Sequence, residues 1–434
     1  MSESREYTYI RDVTYQYNAD IGLAYSSPCR GLWNIVHIGV QVPGCHEIYV
    51  CPTSCLRGVV LTTAEMNAMD RLSTITVGED NILEGDMEEC LQHGVEKIIE
   101  TLPEKPRMIM IFISCIHHFL AANYQRVYKI LREEYPDIDF IDAYMDPIMR
   151  RKTPPLPSLT RQMFRVLKPC DHLENQVNFI GSWFDSSQDN DLYAWLTGKG
   201  ISVKDLPMMH SYDEFLSMQE SCANITIHPH AAWAGKDLQL RLNQKWLDVR
   251  PSFRYEKLRE QMKMICQTLQ IDAPCEEENQ KWERNIEEKA EKLQKKFGNT
   301  PISIDYTAVD LPLEMAVFLL NHGFQVESVF LEVFTEKEDI FNTLQKLKPD
   351  LKIYSAENWN MRLMDRKHDG KIVAIGQQAA YFNNTNYFID IIHGADMYGY
   401  RAIEKWLDLL EEAYDTEKDM KTLIQHKGWR CEAR

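Results

Sequence analysis

Cys29, Cys55 and Cys115 are the residues whose type and spacing could do chemistry. They stand in SSPCRG, CPTSCLRG and FISCIHH, 26 and then 60 residues apart, each beside a glycine, a proline or the end of an apolar run. Three thiolates in such positions can hold three corners of an iron–sulfur cubane, which takes four ligands. The missing corner predicts a cluster on a surface that another chain completes. Cys45 and Cys51 are alternative fourth ligands within the chain, since Cys51 and Cys55 are four residues apart and both could touch one metal. The competing reading treats thiols as small buried hydrophobes. Cys90, Cys170, Cys222, Cys266 and Cys275 are read that way.

Presenting three thiols needs elements that end near one another. The runs 71–77 (RLSTITV) and 108–114 (MIMIFIS) read as buried strands with a helix over about 85–102 between them, and 138–144 (IDFIDAY) follows another helix. This alternation is the rhythm of parallel α/β layers. Three prolines in RRKTPPLPS (150–158) interrupt it and mark a boundary. A second block carries strands at 176–181, 201–206 and 223–229. A charged helical linker covers 255–297, the alternating Glu and Lys of 276–296 reading as a solvated face, and GNTP (298–301) closes it. A third block runs through PISIDY, QVESVF, LKIYS, KIVAIG and YFIDIIH to a closing helix. The expected division is 1–155, 156–298 and 299–434. In open parallel sheets ligands collect outside the carboxyl ends of the strands. This draws attention to His228 and His230 in ITIHPHAAW, to His393, to Asp142, Tyr144 and Asp146, and to Arg150 and Arg151. The plain alternatives are imidazoles that close a strand and a solvated basic turn.

Bulk properties narrow the class. The chain has 434 residues, 44% of them hydrophobic, with no apolar run near the roughly 20 residues of a membrane span. Its start, MSESREYTY, has no apolar core, so a secretory signal is not expected. Eleven unevenly spaced cysteines in a long regular chain suit a reducing cytoplasm rather than a disulfide scaffold. A net charge of −17 argues against nucleic acid as a partner. There is no Gly-x-x-x-x-Gly-Lys-Ser/Thr loop, so the chain is not expected to hydrolyse ATP, and no Ser–His–Asp or His-Glu-x-x-His signature is present.

Five segments in order resemble the component 1 superfamily of nitrogenases, which includes the α and β subunits of the molybdenum–iron protein, a cofactor-assembly scaffold and dark-operative protochlorophyllide reductase. They are CRGLWNIVHIGVQVPGCHEIYVCPTSC (29–55), GEDNILEGDMEEC (78–90), MIMIFISC (108–115), QVNFIG with ANITIHPHAAWAGKDLQLRLNQKW (176–181, 223–246), and HGADMYGYRAIEKWLDLLEEA (393–413).

The resemblance implies three Rossmann-like α/β domains with parallel sheets around a central cleft. It implies a homologous or identical second subunit sharing the cluster, and a separate ATP-hydrolysing iron protein as electron donor. Carried over by position, Cys29, Cys55 and Cys115 become the ligands of a [4Fe-4S] or larger P-cluster-like centre, with Cys29 opening a helix. A second metal cofactor is possible in the cleft, and His393 matches the family's cofactor histidine. The region that holds the family's cofactor cysteine has His228 and His230 but no thiol here, which argues against dinitrogen reduction on a molybdenum–iron cofactor. These three imidazoles are candidates for one cavity. Cys115 is followed by His117 and His118 rather than by the family's Gly-Asp-Asp run. The expected function is an oxidoreductase subunit relaying low-potential electrons to a substrate or cofactor. The alternative is a scaffold on which a complex cluster is assembled.

Overall fold

The computed structural model describes residues 6–15, 24–145, 154–334, 336–366 and 370–425. Asp146, Arg150, Arg151 and the boundary residues up to 153 lie outside the described residues. The strands are β1 (Tyr7–Tyr9), β2 (Cys45–Cys51), β3 (Leu72–Thr76), β4 (Met108–Ser114), β5 (Asp139–Met145), β6 (Leu173–Ile180) and β7 (Ser202–Asp205). They continue as β8 (Ser221–Thr226), β9 (Lys245–Asp248), β10 (Pro301–Asp305), β11 (Gln325–Phe330), β12 (Lys352–Tyr354), β13 (Val373–Ile375) and β14 (Phe388–Ile389). They form three sheets, ordered β3-β2-β4-β5, β7-β6-β8-β9 and β1-β12-β11-β10-β13-β14. Strand pairing is parallel except where β1 adds antiparallel to β12 at an edge. With helices crossing between the parallel strands, the fold is Rossmann-like α/β.

The chain makes two compact units. One comprises the described parts of Met1–Leu32, Ser186–Trp195 and Pro251–Lys427, and holds the six-stranded sheet. The other comprises the described parts of Trp33–Asp185 and Leu196–Arg250, and holds both four-stranded sheets.

In the second unit, β2 and β4 are central strands and every residue of each is buried. That explains their largely apolar sequence: a parallel strand covered on both faces has no polar side to show. One face is covered by the helix Met87–Thr101, whose buried Met87, Leu91, Val95 and Ile99 recur every fourth residue, and by the helix Tyr124–Glu134. The opposite face carries Tyr49 stacked on Phe112 at 4.3 Å, and its core runs on through Leu159, Met163, Ile180 and Phe215 into the second sheet.

Two residues of β2, His46 and Glu47, break the apolar rule. Glu47 is completely buried, and among the described residues neither carboxyl oxygen makes a well-formed hydrogen bond, although the Tyr49 hydroxyl lies beside it. Gly39 makes the room: a methyl group there would sit 1.7 Å from Glu47 Oε1. The nearby Arg71 guanidinium is committed elsewhere, donating to the carbonyls of Cys45, Val40 and Val42 at 2.9, 2.7 and 2.5 Å. Burial therefore dominates and holds the Glu47 carboxyl far above its ordinary range.

In the first unit, the charged helix Glu276–Phe297 buries a stripe of Ile286, Ala290, Leu293 and Phe297. Its charges are not simply solvated. Lys289 reaches Asp408 at 2.6 Å and Lys296 reaches Asp415 at 2.6 Å, both on the helix Tyr400–Asp415. Such exposed pairs fix register more than they stabilise. Among the described residues no helix is long and apolar enough to cross a membrane.

Glu47 sets a pH dependence of known sign. The native state keeps a proton that the unfolded chain releases near pH 4, so stability falls as pH rises, by about 1.4 kcal/mol per unit, until the raised native pKa is reached. Glu47→Gln removes this slope. Urea midpoints measured between pH 5 and 8 are expected to separate the variant from wild type increasingly as pH rises; parallel curves would show that Glu47 is ionised in the fold.

Candidate functional site

The parallel register of β2 and β4 pairs Val50 with Ile113, so the two strands finish side by side. Beyond β2, Pro52 leads a tight turn Thr53–Cys55, and Cys55 caps the helix Leu56–Glu65 with its side chain exposed. Beyond β4, Cys115 is the first residue of the short helix Cys115–Phe119 and is half-buried. Two of the three expected thiols therefore stand at the carboxyl ends of neighbouring parallel strands. Cys51 closes β2 at this same end, fully buried, and burial together with the nearby Cys55 thiol pushes it up to about 12. Cys45 begins β2, so at the rise of an extended strand about 20 Å separates it from Cys51. Burial raises Cys45 as well.

His117, two residues after Cys115, is buried rather than a surface imidazole. Its Nδ1 lies 3.3 Å from Ser114 Oγ, its ring packs edge-on against Tyr124, and burial lowers its pKa. His118 is exposed.

Cys29 belongs to the first unit. Its Sγ donates to the Gln377 carbonyl at 3.5 Å, the next amide (Arg30) donates to Gln377 Oε1, and Arg30 pairs with Asp390 at 2.8 Å. Cys29 does not open a helix. The helix begins at Ile35, where the Asn34 side chain accepts from the Val36 amide and His37 Nδ1 accepts from the Asn34 amide. The glycine and polar cap after Cys29 delay the helix by one and a half turns.

The histidine candidates sit at strand ends too. His228 follows β8 and is almost wholly buried, and His230 lies in the turn Pro229–Ala231. Their rings stack at 5.7 Å, and His230 packs 4.8 Å from the Trp183 ring. Gly181 ends β6 with φ +93°, and a methyl group there would lie 2.6 Å from Ala231 Cβ and 3.3 Å from His230 Nε2. This glycine makes the imidazole's seat possible.

In the first unit, His393 follows β14. Its amide donates to Thr307 O at 3.0 Å and the Gly394 amide to Ala308 O at 2.9 Å, tying it to the loop beyond β10. From that loop Asp310 places Oδ1 3.2 Å from His393 Nδ1, a carboxylate that fixes the ring's orientation. Sequence reasoning missed Asp310; the available signal was an acid in the loop after PISIDY, just ahead of a helix. The backbone here is strained. His393, Gly394, Ala395 and Asp396 have φ of +51, +61, +50 and +54°, a full left-handed turn with only one glycine. Asn190 Nδ2 braces it by donating to Asp396 O at 3.1 Å. Such strain persists where surroundings over-determine it, and it collects at functional positions.

Residues 36–382 match the family model described as nitrogenase component 1 type oxidoreductase. The chain belongs to this family. Among solved structures it is similar to a chain titled "Nitrogenase Cp1 at pH 6.5", with a TM-score of 0.66 at 11% identity over 90% of this chain and 93% of that one. A second, titled "Nitrogenase Cp1 at pH 5", gives 0.61 at 12% identity over 95% and 92%. At such identities the likeness is one of fold. No curated protein matches in sequence.

The left-handed turn predicts a stabilising substitution. Ala395→Gly relieves one residue of strain and is expected to raise stability by about 1 kcal/mol, read as a higher urea midpoint at unchanged m-value. A lowered midpoint would mean that the Ala395 methyl makes contacts worth more than the strain.

Proposed function

We propose that this chain is a cytoplasmic component 1 subunit of a nitrogenase-like oxidoreductase, with domains divided near residues 155 and 298. It takes electrons from an ATP-dependent iron-protein-like reductase through an interface iron–sulfur cluster, and delivers them to a substrate or second metal cofactor in the cleft. The observation that carries the reading is the family match over residues 36–382, joined to thiols at neighbouring strand ends in the segments where the family keeps its cluster cysteines.

Cys29, Cys55 and Cys115 are the ligands we assign. Cys55 is exposed, Cys115 half-buried, and sulfur is the ligand such clusters take, whereas Cys29 is buried and would have to give up its hydrogen bond to the Gln377 carbonyl to ligate. Bound there, a [4Fe-4S] or larger P-cluster-like centre would supply one-electron relay. Cys51 is the in-chain candidate for a further ligand; Cys45, at the far end of β2, is not. A homologous or identical second subunit is the other source. Apolar side chains beside the thiols support a partner on this face: Phe119 is 70% exposed, Leu120 46%, and Leu83, in the helix after β3, 83%.

His393, oriented by Asp310, and His228 and His230 are the imidazoles assigned to the substrate or cofactor. Their work is to ligate or to hold a proton at Nε2, while the buried aromatic surroundings of Trp183 exclude water. With no thiol in 223–233, dinitrogen reduction on a molybdenum–iron cofactor is not part of this reading. The alternative is an assembly scaffold, which shares the fold and the cluster and differs in what it does with them.

The test is anaerobic iron and sulfide content with electron paramagnetic resonance. Cys55→Ala is expected to strip or distort the cluster while Cys222→Ala leaves its spectrum unchanged; matching spectra for wild type and Cys55→Ala would falsify the ligand assignment. Consumption of a reducible substrate with iron protein and ATP marks the enzyme, and release of a cluster to an acceptor marks the scaffold.

A further inference from the structure

The first unit contains a cavity, separate from the histidine and cysteine positions, that nothing above employs. It has a volume of ≈ 220 Å³ and lies among the helices Asp191–Gly198, Tyr255–Leu269, Glu276–Phe297 and Tyr400–Asp415. That is room for one aromatic ring with a short substituent, below the roughly 300–1,000 Å³ of drug-sized sites. Its walls are apolar and flat: Leu258, Met262 and Pro274 together with the indoles of Trp195 and Trp282.

Polar groups share the lining, and several of them are already engaged. Arg259 is engaged by Glu283, which also accepts from the Tyr400 hydroxyl at 2.9 Å. Asp191 caps the helix that starts at Tyr400, accepting from the Arg401 amide at 3.0 Å, and pairs with Arg401 Nε at 3.1 Å. Two charged side chains still have atoms to offer, although Asp191 already pairs with one of them. Arg401 is half exposed, holds its guanidinium 6.0 Å from the Trp282 ring centre, and among the described residues hydrogen-bonds through neither terminal nitrogen. Glu278, in the first turn of its helix, is exposed and has no ion-pair partner among the described residues. One site thus offers an aromatic slot, a guanidinium fork for a carboxylate and a carboxylate for a cation.

We infer that this cavity binds a small aromatic zwitterion of the α-amino-acid type, its ring between Trp195, Trp282 and Met262, its carboxylate on Arg401 and its ammonium on Glu278. The two charged contacts demand both substituents on one ligand, and the walls demand the ring. The site also bears on His393. Tyr398, Gly399, Tyr400 and Arg401 line it and follow the left-handed turn directly, while the Asp191 amide donates to Tyr398 O at 2.9 Å. A ligand that grips Arg401 therefore sits on the segment that carries the histidine. The inference does not rest on the cluster reading, and its test needs no cluster.

The full chain is titrated with L-phenylalanine, phenylacetate and phenethylamine, followed by calorimetry and by the fluorescence of the cavity tryptophans. L-Phenylalanine is expected to bind at least tenfold more tightly than either single-charge analogue. Arg401→Gln and Glu278→Gln are each expected to weaken it by tenfold or more, and Trp282→Ala to abolish it. Glu278 is exposed, so its variant keeps the fold and serves as the control for Arg401→Gln, whose melting curve is recorded alongside. Absence of phenylalanine binding at millimolar concentration, equal binding of the three compounds, or an unaltered affinity in folded Glu278→Gln overturns the inference.

Discussion

Parallel pairing of β2 with β4 is the constraint on which the candidate chemistry depends. Parallel strands point their carboxyl ends the same way, so the loops that leave them are gathered at one edge without further design. The pairing of Val50 with Ile113 brings the turn of Cys55 and the helix start of Cys115 into one neighbourhood. A register slip of one residue would send each side chain of a strand to the opposite face. The unbroken burial of both strands forbids it, because Tyr49 and Phe112 stack only in this register.

The same interior tolerates polar groups only where the backbone has been shaped for them. Glu47 lies where Gly39 leaves a space, Gly181 gives His230 its seat, and Gly376 does likewise for Asp305. Asp305 is the satisfied case: completely buried, it accepts from the amides of Thr307, Ala308 and Ala379 at 2.9, 3.3 and 2.9 Å. Burial raises both carboxyls, but only Glu47, with no comparable donors, is held far above its ordinary range. Two buried acids in the same fold thus differ in what surrounds them rather than in depth.

Much of this was legible in the sequence because it is local. The strands at 72–76, 108–114 and 139–145 follow from β-rich apolar runs, and the helix Met87–Thr101 from apolar residues at every fourth position. The placement of Cys55 and Cys115 at element starts was visible in the proline and in the end of MIMIFIS. What was not legible depended on partners distant in the chain. Nothing near Tyr7 announces that it pairs with Tyr354, and nothing near Asp310 announces His393. The helix after Cys29 was expected too early because its cap, Asn34, competes with the cysteine as a start signal. The burial of His117 beside an exposed His118 is invisible to composition, since adjacent residues of a helix point in different directions.

Cys51 has an implication for how a metal centre could be built. Its sulfur is enclosed within the strand end and retains its hydrogen across the whole physiological range. Recruiting it would have to expel that hydrogen, so inserting iron at this corner would acidify the medium and would run more readily in alkaline solution. Cys55, out at the rim, is open to solvent, so the two sulfurs differ in how a metal could reach them.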